Sequence, residues 1–136
     1  MVKISIDYTG ELHCSAKHGP SGAHVETDAP VDNNGKGESF SPTDLVATAF
    51  GTCMATLMGI VAQRHKIELK GMKIEVEKEM STDSPRRISK LTTRFSIPLP
   101  RSTDKRELIE QAALTCPVYQ SIHPDIKKVV EFNWQG

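Results

Sequence analysis

Between Asp44 and Gln63 the chain carries no charged side chain, and the run "LVATAFGTCMATLMGIVA" holds only threonine and glycine among its apolar residues. Such a run either crosses a membrane or is enclosed by protein. Thr48, Thr52 and Thr56, with Gly51 and Gly59, make it a poor membrane span and a good buried helix. Its start is well marked: Ser41 suits the cap, Pro42 the first helical position, and Asp44 follows three residues after the cap, near the positive end of the helix dipole. Leu45, Ala49, Cys53, Ala55, Thr56, Leu57 and Ile60 recur at helical spacing, and an end is expected near His65 and Lys66. Nearly every side is apolar or small, so the helix is expected to pack on more than one side, at the centre of a domain or at a subunit interface.

The flanking sequence reads as strands. "KISIDYTGELHCSAK" is two alternating runs joined at Thr9-Gly10, a hairpin with Ile4 and Ile6 on one face and Leu12 and Cys14 returning on the same side. "GAHVETDAP" is a weaker third strand, and "VDNNGKGESF" a polar, mobile loop. "GMKIEVEKEM" and "RRISKLTTRFSIPLP" alternate around "STDSP", as half-solvated antiparallel strands do. "STDKRELIEQAALTC" is a second helix, capped by Ser102 or Thr103 and stopping at Cys116-Pro117, and "KKVVEFNW" a final strand. Strands, long helix, strands, helix, strand is an α+β order, expected as one domain over residues 1–136.

Seventeen basic and seventeen acidic residues cancel, so no net field favours nucleic acid or an anionic membrane surface. The N-terminus lacks the apolar core of a signal peptide, and a cytoplasmic location is expected. Cys14, Cys53 and Cys116 form no C-x-x-C, and His13, His18, His24, His65 and His123 are scattered, so neither a bound metal nor a disulfide framework is expected.

Two functions compete for Cys53. Free cysteine behaves as a small hydrophobe and is among the most buried residue types, which makes packing the simpler reading. Cys116 lies at a helix end before a proline, where a thiol is expected to be exposed and able to swing. Two lone cysteines on separate helices also suit a redox pair, one oxidised to a sulfenic acid and the other resolving it. Cys14, on a strand, reads as packing.

"SPTDLVATAFGTCMATLMGIV", with "LTCPVYQSI" about sixty residues on, resembles the OsmC/Ohr family of hydroperoxide-detoxifying proteins. The features carrying the resemblance are a Pro-acidic-Leu helix start, a cysteine among small residues, and a second cysteine followed by proline. The resemblance implies antiparallel sheets packed around two cysteine-bearing helices in an intertwined homodimer. It also implies a cysteine peroxidase that reduces organic hydroperoxides in oxidative stress defence, with Cys53 attacked and Cys116 resolving. A dithiol, lipoyl-type or other, would regenerate it, without metal or flavin.

A thiol in mid-helix gains little from the helix dipole, so a cation must help ionise it. The family's pattern uses an arginine in the N-terminal strands and a glutamate after the helix-start proline. Here no arginine precedes Arg64, and Thr43 holds the glutamate position. Asp44 and Arg86 are therefore the candidates for the activating charges, with Lys17, His18, Lys36 and Arg87 as other sources of positive charge. An apolar pocket of Phe40, Phe50, Met54 or Leu57 would favour fatty or aryl peroxides. The alternative function is a non-catalytic dimer on the same fold, binding a small hydrophobic or electrophilic ligand.

Overall fold

Ser41 and Asp44 close the start of the long helix as a reciprocal pair. The Asp44 amide donates to Ser41 Oγ at 3.1 Å, and the Ser41 amide donates to Asp44 Oδ2 at 2.9 Å. The two residues thus satisfy each other's backbone N–H, while Pro42 has none to satisfy. From this cap, α1 runs uninterrupted over Pro42–Arg64. The computed structural model describes residues 1–135. Its other elements are β1 (Ile4–Gly10), β2 (His13–His18), β3 (His24–Asp28), β4 (Lys73–Met80), β5 (Ile88–Pro100), α2 (Arg106–Leu114), α3 (Pro117–Ser121) and β6 (Lys127–Gln135). The class is α+β, as expected. The chain divides into two compact units, Met1–Val46 and the part from Ala47 onward.

In the first unit β1, β2 and β3 form an antiparallel sheet in that order. The register pairs Ile4 with His18, Ile6 with Ala16 and Tyr8 with Cys14, then Cys14 with Thr27 and Ala16 with Val25. Since side chains alternate, one face collects Ile4, Ile6, Tyr8, Cys14, Ala16 and Val25, and the other is polar. Cys14 falls where the alternation put it, but Leu12 sits in the turn at φ 62°. The apolar face is uncovered: Ile4 is 58% and Ile6 64% exposed.

On the polar face Asp28 is a hub. His13 Nδ1 lies 2.7 Å from its Oδ1, the Glu38 amide donates to its Oδ2 at 3.0 Å, and its own amide donates to the Phe40 carbonyl. These bonds tie both ends of the loop after β3 to the sheet. Within that loop a 3-10 turn spans Val31–Asn33, and Gly35 crosses so close to Ala29 that a Cβ there would meet the Ala29 carbonyl oxygen at 1.7 Å.

In the second unit α1 buries one stripe, Ala47, Phe50, Gly51, Met54, Met58 and Ala62, while Thr48, Thr52, Thr56 and Ile60 remain exposed. Thr52 and Thr56 turn their hydroxyls back onto the carbonyls four residues earlier, both at 2.8 Å, which leaves their methyl groups outward. The stripe packs with the inner face of a three-stranded sheet ordered β4-β5-β6, where Leu91, Phe95, Ile97 and Trp134 are buried. Phe95 stacks on Phe132 with centroids 5.3 Å apart. On the outer face Arg94 bridges the strands on either side through Glu77 and Glu131.

This sheet is mixed rather than wholly antiparallel. β4 pairs with β5 as an antiparallel hairpin, but β6 joins the other edge of β5 in parallel, Lys90 opposite Lys127 and Phe95 opposite Phe132. A parallel neighbour requires a crossover, and α2 and α3 supply it. The start of α2 also differs from expectation. Neither Ser102 nor Thr103 caps it. The residue before the helix is Lys105, left-handed at φ 64° with no side-chain capping bond, while Thr103 Oγ1 donates to the Pro100 carbonyl at 2.6 Å. Further along, Glu110 Oε2 accepts from both Trp134 Nε1 at 2.7 Å and Arg106 at 3.1 Å, fastening α2 to β6.

Candidate functional site

Cys53 stands on α1 one residue off the fully buried stripe, three after Phe50 and one before Met54, and is half-buried. Cys116 stands between α2 and α3 and is 0% exposed. The expectation of an exposed, swinging thiol is therefore corrected, and the reason is local. "PVYQS" is not an open turn but the helix α3, with Pro117 at its first position and Cys116 as its cap. Cys116 Sγ accepts the Tyr119 amide at 3.2 Å, so the thiol is turned inward into the helix it starts. Cysteine is not a common cap, and Pro117 was the one sequence signal for α3.

The fold brings the two cysteines near enough, across 63 residues of sequence, for Cys53 to act on the ionisation of the Cys116 thiol, and all three cysteines of the chain are free thiols. Burial pushes the Cys116 thiol up from its usual pKa. The amides of Tyr119 and Val118 oppose that shift by favouring a thiolate, and the neighbouring Cys53 side chain reinforces it. The pair is thus unequal, with Cys53 the more accessible sulfur and Cys116 the buried one that holds its proton.

A ring contact joins the two helices that carry or follow the cysteines. Phe50 of α1 stacks on Tyr119 of α3 with centroids 5.7 Å apart, and Lys128 Nζ lies 5.5 Å from the centre of the Tyr119 ring. Neither Tyr119 nor Lys128 stands out in the sequence as a site residue. Tyr119 lay in a segment read as a turn, and Lys128 in a strand whose parallel pairing no local pattern reveals. The expected pocket residues are placed differently too. Phe50 and Met54 are fully buried core, Leu57 is half-buried, and Phe40 is exposed. The cause is periodicity, since positions 50 and 54 share the buried stripe with 47, 58 and 62.

Of the expected charged residues, Asp44 is occupied in the cap nine residues before Cys53. Arg86 lies exposed in the β4–β5 connection. Its neighbour Arg87 pairs with Asp83 at 2.8 Å, which raises the guanidinium above its usual pKa and lowers the carboxyl. Lys36 is paired with Glu11 at 3.1 Å. Among the described residues no three His, Cys, Asp or Glu side chains are grouped to hold a metal. The apolar face of the first unit opens a cavity of about 670 Å³, lined by Ile4, Ile6, Cys14, Ala16, Val25 and Leu45 among others.

Comparison with known proteins agrees with this picture. The sequence profile of the family described as OsmC-like protein matches residues 35–131. A solved structure from Psychrobacter arcticus 273-4, named for osmotic stress induction and a detoxification response, is 43% identical with a TM-score of 0.92, over 98% of this chain and 96% of that one. An OsmC organic hydroperoxide resistance protein from Legionella pneumophila has a TM-score of 0.78 at 15% identity, with the same coverages. An OsmC-like protein from Mycoplasma pneumoniae reaches 0.81 at 15% identity, over 100% of this chain and 98% of that one. No curated protein sequence matches the chain at a significant level. With the profile covering most of its length and a 43% identical relative matched nearly end to end, the chain belongs to the OsmC-like protein family.

Proposed function

We propose that the protein is a thiol peroxidase that reduces organic hydroperoxides, with Cys53 as the attacked sulfur and Cys116 as the resolving one. The observation that carries this reading is the inequality of the two neighbouring thiols. A peroxide reaches the half-buried Cys53 first, while Cys116 stays protonated and unreactive until a partner sulfur is oxidised beside it. Cys53 gives up its thiol proton and its sulfur attacks the distal peroxide oxygen, the O–O bond breaks with that oxygen kept on sulfur as a sulfenic acid, and the alkoxide takes up a proton and leaves as the alcohol. The resulting sulfenic acid is attacked by Cys116, whose proton leaves with the hydroxyl as water, and a disulfide forms. A dithiol, lipoyl-type in the simplest case, reduces it through two thiol–disulfide exchanges.

Structurally similar proteins named for organic hydroperoxide resistance support a role in oxidative stress defence, and we place that role in the cytoplasm. A homodimer fits the surface left uncovered: only 33% of the apolar stretch of α1 is buried within the chain, and the apolar face of β1–β3 is bare. Asp44 and Arg86 remain the candidates for tuning charge around Cys53.

The test is a stopped-flow thiol oxidation with cumene hydroperoxide and, separately, hydrogen peroxide. Fast consumption of the organic peroxide is expected, abolished in Cys53→Ser and ending as a trapped sulfenic acid in Cys116→Ser. Oxidation no faster than that of a free thiol would refute it. Asp44→Asn and Arg86→Ala variants that react like the wild type would remove those two residues from the chemistry. The second reading, a non-catalytic dimer binding a hydrophobic or electrophilic ligand, is favoured by the apolar cavity beside Cys14. Saturable binding of an aryl or fatty ligand without peroxide turnover would select it.

A further inference from the structure

Tyr119 makes two independent contacts, one with the resolving cysteine and one with the helix that carries Cys53. Its backbone amide donates to Cys116 Sγ at 3.2 Å, fixing where that sulfur points. Its ring, 5.7 Å from that of Phe50 and inclined by 25°, is stacked on a residue three positions before Cys53 on the same helix. One side chain therefore spans the two segments whose sulfurs must meet. The ring is in turn held by Lys128, whose ammonium lies 5.5 Å from its centre and donates to the Ile126 carbonyl at 3.3 Å. Lys128 occupies the inner face of β6, opposite Leu91 of β5, so the cation is delivered by the rigid sheet rather than by a loop.

Disulfide closure is sensitive to this arrangement. Sulfurs that form a bond must reach about 2.05 Å apart with a narrow range of dihedral angle, and a misplacement of about 1 Å can cost on the order of a hundredfold in rate. A five-residue helix capped only by the attacking sulfur does not hold itself in place, and the Phe50–Tyr119–Lys128 stack ties it to α1 on one side and to β6 on the other.

We infer that Tyr119, clamped between Phe50 and Lys128, is the positioning residue for the resolving step, acting on the rate at which Cys116 closes onto oxidised Cys53 and not on the attack of Cys53 on peroxide. The inference deepens the peroxidase reading and rests on it for its biological meaning. Its chemical content, closure between the two sulfurs, is testable without peroxide. Diamide supplies the oxidising equivalents instead: one thiol adds across its N=N bond, the second thiol attacks that sulfur, and the substituted hydrazine leaves as the disulfide forms.

The experiment measures both steps in the full chain for the wild type, Tyr119→Phe, Tyr119→Leu, Lys128→Arg and Lys128→Met. With cumene hydroperoxide, the first-order closure is followed after sulfenic acid formation, together with the yield of sulfinic acid at rising peroxide. With diamide, closure alone is followed. Tyr119→Leu is expected to close about tenfold more slowly or worse, with more sulfinic acid and an unchanged first step. Lys128→Met should slow closure about two- to fivefold. Tyr119→Phe, which keeps ring and amide, and Lys128→Arg, which keeps the cation, should behave like the wild type.

Closure in Tyr119→Leu at the wild-type rate would overturn the inference, as would equal loss in Tyr119→Phe. Failure of diamide to couple the two cysteines in the wild type would also overturn it. If Tyr119→Leu does not fold, the contrast between Lys128→Met and Lys128→Arg decides in the same way. A wild type inert to peroxide yet closing with diamide refutes the peroxidase reading alone, and the variants then still judge the role of Tyr119.

Discussion

His13 Nδ1 and Asp28 Oδ1 stand 2.7 Å apart on neighbouring strands, and each shifts the ionisation of the other. The Asp28 hydrogen bond raises His13 above its usual 6.5 against the opposing effect of burial, with Glu26 at 3.6 Å adding to the rise. The bond from His13 lowers Asp28 below its usual 3.8, again against burial, and the Glu38 amide and the charge of Lys36 assist.

The signs define a window. The contribution of His13 is fully present below pH 6.5 and is lost as pH rises through its raised pKa. That of Asp28 is fully present above pH 3.8 and is lost as pH falls through its lowered pKa. The difference in Tm between the wild type and His13→Gln should therefore be largest between pH 3.8 and 6.5 and shrink on both sides. A difference that is flat from pH 3 to 9 would show that the pair does not titrate with folding.

Gly51 should not tolerate alanine, although alanine is the better helix former. A Cβ at position 51 would meet Val76 Cγ2 at 2.7 Å and Ile74 Cγ2 at 3.5 Å. Valine is stiff about χ1 and sits in a strand, so the helix must move off the sheet. Overpacking costs about 1–3 kcal/mol, against roughly 0.5–1 kcal/mol gained in helix propensity. Chemical denaturation should show a net loss, and an unchanged or higher midpoint would mean that the helix has room.

Thr93 presents the reverse case. It is fully buried in β5, opposite Val76 and Val130, and its hydroxyl has no hydrogen-bond partner among the described residues. Valine has nearly the same shape without the polar group, so Thr93→Val is expected to stabilise the fold by about 1 kcal/mol. A loss of stability in thermal melts would mean that the hydroxyl is satisfied in solution.

The cap of α1 is predicted to be cooperative. Ser41→Ala and Asp44→Ala should each cost about 1 kcal/mol. Together they should cost less than the sum, since each removes a bond that orients the other. Strict additivity in denaturant midpoints would show two independent effects.

What could be read from the sequence was whatever local chemistry decides. The alternation of Ile4 and Ile6, the Ser41-Pro42-Asp44 start and the hairpin of β4 and β5 each occupy a few neighbouring residues, and all three formed where expected. The resemblance behind the OsmC-like assignment likewise lay in two short segments. The features missed depend on distant partners. Nothing in "KKVVEFNW" states whether the strand runs parallel or antiparallel to β5, and nothing in "CPVYQS" states that Phe50 will lie against Tyr119. The burial of Cys116 follows from the same blindness, because a thiol before a proline reads as exposed until the core around it is known.

The parallel pairing of β6 with β5 also bears on how the chain reaches its native state. β5 gains its β4 partner from a neighbouring hairpin, a contact that forms on the microsecond scale, but its other edge waits for residues 37 positions away, with two helices to be laid down between. During synthesis on the ribosome, the edge carrying Leu91, Phe95 and Ile97 is thus open after the hairpin is made and before β6 emerges. Until then that edge is open to mispairing with other nascent chains.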